Sequence, residues 1–329
     1  MSVAPRSDLA RAALLLAAIE GVLALAYVAS AALFADLGVF RDAEQPYGID
    51  GEAGFNAALI LVLGYTVAAA WIGRRWTRAE FERLRGAVEA TDDEWARWAR
   101  RVHTPARAGL ATGAALGAAC GVAVNLVSGW LLVESDASWT GHTVWTWLLN
   151  TPLFGVIGML AYLAQSAGVF REAGRQVRVR WGRREALAPF ARVGFRQAAL
   201  WLIGSSLASL LFVQADVPAV VAGVLVVTVG IGIASLLAPS RGVHERLREA
   251  KRAELAWVRD EIERAGRALR AGEGARLPAL LAWEEHIAAA PEWPFDVRTL
   301  LRFGLFLLFP LGSWLGAALA ERALDVWLR

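Results

Sequence analysis

The sequence predicts an all-α membrane protein: a bundle of seven transmembrane helices with a small cytoplasmic helical layer, its N-terminus inside and its C-terminus outside. Three observations carry that expectation. Of 329 residues, 57% are hydrophobic and only 20% charged, against roughly 45–50% and 25% in a soluble domain. Much of the apolar excess is gathered into unbroken blocks that fill about half of the chain. The basic residues crowd into alternate loops between those blocks. A soluble enzyme, a nucleic-acid-binding module and a disordered chain are excluded at this first step.

The blocks are residues 9–34, 54–73, 107–133, 144–170, 197–213, 217–238 and 298–320. At about 1.5 Å of rise per residue even the shortest covers roughly 25 Å, enough to span with its flanks. Unpaired backbone amides are not tolerated in hydrocarbon, so each block is expected to be a helix. Ala29-Ser30-Ala31 resembles a signal-cleavage site. The first block is longer than a signal core of about 7–15 apolar residues and contains Glu20, so it is read as a span.

Orientation follows from the arginines. Segment 74–106 holds Arg74, Arg75, Arg78, Arg83, Arg85, Arg97, Arg100 and Arg101, and segment 171–196 holds eight more. The alternate loops keep Arg41 but collect Asp36, Asp42, Glu44, Asp50, Glu52, Glu134, Asp136 and Asp216. The positive-inside rule then sets the N-terminus in the cytoplasm of a cell whose inner membrane holds the chain. This placement also accounts for a net charge of +3. Of 15 tryptophans, Trp71 and Trp76 fall at one interface and Trp130, Trp139, Trp145, Trp147 and Trp327 at the other, as aromatic belts. Trp95, Trp98, Trp257, Trp283 and Trp293 lie between spans and are expected to pack the helical layer.

The chain therefore divides into spans 1 and 2 (1–73), cytoplasmic helices (74–106), spans 3 to 6 (107–238, with an interfacial segment at 171–196), a cytoplasmic helical hairpin (239–297), and span 7 with an external tail (298–329). Thr91 ahead of Asp92, Asp93 and Glu94 is a capping-box pattern. Leu255, Val258, Ile262, Ala265 and Leu269 recur at the 3-4 spacing of a packed helical seam, expected to lie on segment 74–106. Gly272 and Gly274 end that helix, and Pro278 opens a shorter one.

Four polar residues inside the spans are candidates for an ion or proton pathway: Glu20, Asn125, Asn150 and Gln165. Glu20 sits within two residues of the centre of its span, where a charge costs about 2.5–3.5 kcal/mol unless protonated, paired or hydrated. It reads either as a cation-binding carboxylate or as a protonated hydrogen-bonding contact between helices. The loop between spans 3 and 4 is centred so that Asn125 faces Asn150, with Pro152 freeing a backbone carbonyl nearby. Gly109, Gly113, Gly117, Gly121 and Gly129 recur with Asn125 at four-residue steps. That stripe suits a close helix crossing, or a pore lined by bare backbone. Gly312 and Gly316 offer a second small-residue face, and Pro152 and Pro310 are candidate hinges.

No cofactor or metal site is expected. Cys120 is the only cysteine, and His103, His142, His244 and His286 all lie outside the spans. No nucleophile-elbow, zinc-protease or phosphate-loop motif occurs.

Gly242-Val243-His244-Glu245-Arg246-Leu247, then Lys251 and Glu254-Leu255, form one recognisable segment. Glu292-Trp293-Pro294-Phe295-Asp296 before the last span forms another. Together they resemble a group of uncharacterised polytopic membrane proteins of bacteria and archaea, best over roughly residues 238–325, and the resemblance implies no activity. The residues support two readings of function. One is a homo-oligomeric ion-conducting or small-solute pathway through the lipid bilayer. The other is a membrane-embedded sensor or scaffold whose hairpin binds a cytoplasmic protein partner. A lipid-modifying enzyme would need a convergent acid–base cluster that the sequence does not offer, and no nucleic-acid partner is expected.

Overall fold

A computed structural model of the chain describes residues 6–34, 52–132, 141–181, 184–212, 218–269, 276–296 and 298–308. Within them every regular element is a helix: α1 (Arg6–Phe34), α2 (Glu52–Glu82), α3 (Asp92–His103), α4 (Arg107–Leu132), α5 (Gly141–Leu163), α6 (Ser166–Arg175), α7 (Ala188–Ala208), α8 (Pro218–Leu237), α9 (Arg241–Leu269) and α10 (Leu277–Ala288). A last helical segment covers 298–308. Five stretches, containing α1, α2, α4, α5 and α8, are long and apolar enough to cross a membrane. Leu14, Leu25 and Leu33 on α1, Leu116 on α4 and Val226 on α8 are each more than two-thirds exposed. An outer surface of that kind is stable in hydrocarbon and costly in water. The other two expected spans correspond to α7 and to the segment beginning at 298, whose Pro310, Gly312 and Gly316 lie outside the described residues.

At the centre stands α2, touching α1, α5 and α7; α4 is paired with α5 and α8 with α7. Glycine makes the α4–α5 pair. A Cβ on Gly117 would strike the Phe154 carbonyl, one on Gly158 the Gly113 carbonyl, and Gly109 is covered by the Tyr162 ring. With no hydrophobic force between helices in lipid, such backbone approach is what holds a pair together.

Beyond one end of the bundle lies a well-packed helical layer. Its core joins Phe81 in the last turn of α2 and Leu84 just after it, Trp95 and Trp98 of α3, Val169 and Phe170 of α6, Phe190 of α7, and Val243 and Leu247 of α9. The capping box at Thr91 and Glu94 is formed on both sides, starting α3. An isolated antiparallel bridge, Val88 to Val177, clips the segment after α2 to the one after α6.

Three boundaries differ from the sequence expectation. The fourth block, 144–170, is broken by a turn at Ala164 and Gln165, because Val169, Phe170 and Ala173 are buried in the layer rather than exposed to lipid. Segment 171–196 is not one interfacial stretch: it completes α6, passes through a short 3-10 turn, and already supplies the first two turns of α7. The α9 seam is covered mainly by α10 rather than by segment 74–106. Arg259 meets Glu284 at 2.8 Å, the Trp283 indole donates to Glu254 at 3.0 Å, and Lys251 donates to the carbonyls of Ala288 and Ala290 at the end of α10. Lys251 is thus a C-terminal cap, and Trp257, expected in the layer's packing, is 52% exposed.

Gly242 is pressed against the backbone of α6, where an added Cβ would meet the Arg171 carbonyl, and Gly174 answers with 2.6 Å to the Val243 nitrogen. Gly242→Val should therefore lower stability by about 1–3 kcal/mol, as overpacking does. Gly266→Ala, with nothing within 4 Å, should be neutral or stabilising. Thermal unfolding of the detergent-solubilised protein separates the two.

Candidate functional site

Along one face of α2, between α5 and α7, runs an open-sided cleft of about 790 Å³. Its walls carry Val62, Ala69 and Ala70 from α2, Ile157 and Leu160 from α5, and Leu200, Gly204 and Ala208 from α7. Small residues make the space, and the Tyr65 ring closes the floor, its hydroxyl donating to the Leu200 carbonyl at 2.7 Å. Away from the helical layer, the cleft ends at Val62, Ile157 and Ala208, where Leu59, Leu63, Leu149 and Leu153 form an apolar core. Toward the helical layer its lining turns polar: Arg74, Thr77, Arg100, Arg101, Thr104, Gln165 and Gln197.

Most of the basic residues near that polar end are matched. Arg75 meets Asp8 at 2.8 Å, Arg101 meets Glu172 at 3.1 Å, and Arg78 donates to the His103 carbonyl at 2.7 Å. Glu80, with no exposed surface, gathers three guanidinium groups: Arg83 at 2.7 Å, Arg192 at 2.8 Å and Arg196 at 3.0 Å. Arg196 also lies over the Trp76 ring, 5.1 Å from its centroid. Arg74 and Arg100 are different. Neither has an ion pair among the described residues.

The four pathway candidates are not brought together. Gln165 lines the cleft. Glu20 packs on Gly64, its Cγ 2.9 Å from where a Cβ would stand there, and its Oε1 is buried without a hydrogen bond. Gly64 is on the far side of α2: at about 100° per residue, Thr66, Ala69 and Gly73 lie about 140–200° around the helix from it. Asn125 and Asn150 meet each other, as the loop-centred register requires, with the Asn150 amide donating to Asn125 Oδ1 at 2.6 Å. Two more polar pairs tie α5 to its neighbours at that level: Trp145 to Ser30 at 2.8 Å and Thr146 to Asn56 at 3.0 Å. Pro152 stands within a continuous α5.

His103, His244 and His286 are engaged in ring contacts. His244 stacks on Trp293, 4.1 Å between centroids, and His286 stacks on Trp283. The His244–Trp293 contact joins the segment at 242–255 to the one at 292–296. Thr299 hydrogen bonds beside them hold the Asp296 carboxyl below the usual carboxylate range.

Sequence reasoning missed the Glu80 cluster and the cleft. Arg192 and Arg196, one turn apart at the start of a helix, were the available signal for the first. Neither a protein family, nor a characterised protein, nor a solved structure matches this chain.

Two stability predictions follow from this geometry. Glu80→Gln leaves three guanidinium groups around a neutral amide and should cost about 3–5 kcal/mol, as loss of a buried partner does; the unfolding midpoint checks it. An Asn125→Leu, Asn150→Leu double-mutant cycle should show coupling near 0.6 kcal/mol, and zero coupling would separate the pair.

Proposed function

We propose that the chain is a seven-span inner-membrane protein, with its helical layer in the cytoplasm, that handles a small solute or amphiphile through the α2–α5–α7 cleft. The observation that supports this most is the cleft itself: a space of ligand-site size, apolar along its length and polar at the layer end. The arginine-rich loops put that end inside by the positive-inside rule.

The pathway of this reading runs along α2 rather than past Glu20. Above the cleft Leu59, Leu63, Leu149 and Leu153 close the space between α2 and α5, and the polar groups near them, Asn56 with Thr146 and Asn150 with Asn125, are paired with each other. That favours a site open to one side over a continuous ion pore. Because the cleft lies within one chain, the homo-oligomer expected from the sequence is not needed to build it. The scaffold reading keeps one supporting observation, the exposure of Trp257 and Leu281 on the α9–α10 hairpin.

Cysteine accessibility tests the reading, after replacing the lone Cys120 by serine. Gln197→Cys in sealed vesicles should react with an impermeant thiol reagent from the cytoplasmic face alone, and Leu149→Cys from neither. Reaction of Leu149→Cys from both faces would turn the assignment to a continuous conducting path.

A further inference from the structure

The cleft's two ends differ in chemistry, and the difference specifies a ligand. At the layer end Arg74 is only partly exposed and has no carboxylate partner among the described residues, while Arg75, Arg83, Arg101, Arg192 and Arg196 around it are all paired. Arg100 stands unpaired at the same mouth. A guanidinium at the edge of hydrocarbon needs a counter-charge, and its planar fork fits a phosphate by two parallel hydrogen bonds. Gln165 and Gln197, on the opposite walls, have no side-chain partner among the described residues and can serve a polar head.

From Arg74 to Val62 the α2 face runs twelve residues, or about 18 Å. Half of a bilayer's hydrocarbon core is about 15 Å. The apolar part of the cleft is therefore as deep as one leaflet, begins at the level of a headgroup, and stops at the dry core. A free solute anion would use Arg74 and leave that depth of apolar wall uncovered. A zwitterionic lipid would fill the wall and bring its own cation against two arginines.

We infer that the cleft is a site for one anionic phospholipid of the cytoplasmic leaflet, its phosphate on Arg74 and Arg100 and an acyl chain laid along α2 from Gly73 to Val62. This rests on the reading of the cleft as the ligand site and names the ligand class.

The test uses the full chain with Cys120→Ser and Ser205→Cys, since Ser205 lines the cleft. Maleimide labelling is timed in detergent alone, then with phosphatidylglycerol, with phosphatidylcholine, or with inorganic phosphate. Labelling should be fast in detergent and slowed by phosphatidylglycerol roughly tenfold or more, the scale of a charged hydrogen bond. Phosphatidylcholine and inorganic phosphate should slow it little. Arg74→Gln should erase the difference between the two lipids, and Arg74→Lys should keep most of it. Arg100→Gln, at an exposed position, should weaken it and serves if Arg74→Gln does not fold. Equal protection by both lipids, protection by inorganic phosphate alone, or protection unchanged in the Arg74→Gln and Arg100→Gln variants would overturn the lipid assignment. Fast labelling under every condition also overturns it while leaving the cleft as the site. A Ser205→Cys that never labels in detergent removes the cleft reading itself.

Discussion

A carboxylate without exposed surface ties the bundle to the layer beneath it. Removing such a group from water costs several kcal/mol, and Glu80 offsets the cost only where three guanidinium groups converge on it. Two of these, Arg192 and Arg196, are one turn apart on α7, so the pairing fixes both the rotation and the height of α7 against the end of α2. From there the seam continues outward through Leu200 on Gly73 and the Tyr65 hydroxyl on the Leu200 carbonyl. The back wall and one side wall of the cleft are consequently a single piece. The other side wall, α5, is held on α2 at the opposite end by Leu59, Leu63, Leu149 and Leu153. One interface is locked by charge at the layer and the other by apolar packing within the bundle. The open space lies between the two locks.

The α4–α5 pair shows the same economy of means. Interhelical attraction in lipid rests on close packing and hydrogen bonds rather than on exclusion of water. Gly113, Gly117 and Gly158 bring the two backbones into contact. Asn125 and Asn150 add a buried amide pair on the same interface. On its other faces α5 reaches α2 through Asn56 and α1 through Ser30. The half of α5 away from the layer is thus held from three directions. Its other end, past the turn at Ala164 and Gln165, passes into the layer, where Gly174 and Gly242 repeat the backbone contact between α6 and α9.

What the sequence made legible were features with local causes. The apolar blocks gave five stretches long enough to cross a membrane. Thr91 and Glu94 specified the start of α3, and Pro278 the start of α10. The Asn125–Asn150 contact was legible despite its separation because a short loop fixes the register of a helical hairpin. Features built across distant segments were not. Glu80 and Arg196 are 116 residues apart, and no periodicity connects them. The turn after Leu163 follows from the demand of the layer core for Val169 and Phe170, which hydropathy alone reads as more span. The α9 seam was visible as a seam, but its spacing says nothing about which helix covers it. A cleft is harder still, because it is the space left by three helices and no one residue marks it.

The asymmetry of the cleft does have an origin in residue size. Read outward along the same face, α2 presents Gly73, Ala70, Ala69 and Thr66, then Val62 and Leu59. On α7 the matching order is Gly204, Ser205 and Ala208, followed by Leu211 after the helix ends. Both faces change from small to large at the same level. Above that level the helices are filled by their own side chains, as close packing requires. Below it they cannot be, and α5 and α7 are held too firmly elsewhere to collapse together. Apolar space that is fixed open beside lipid is filled by whatever chains adjoin it. On the lipid-site proposal, the unpaired guanidinium of Arg74 at the mouth selects which lipid head stays. Small residues set the depth, the two locks set the width, and one unmatched charge sets the chemistry.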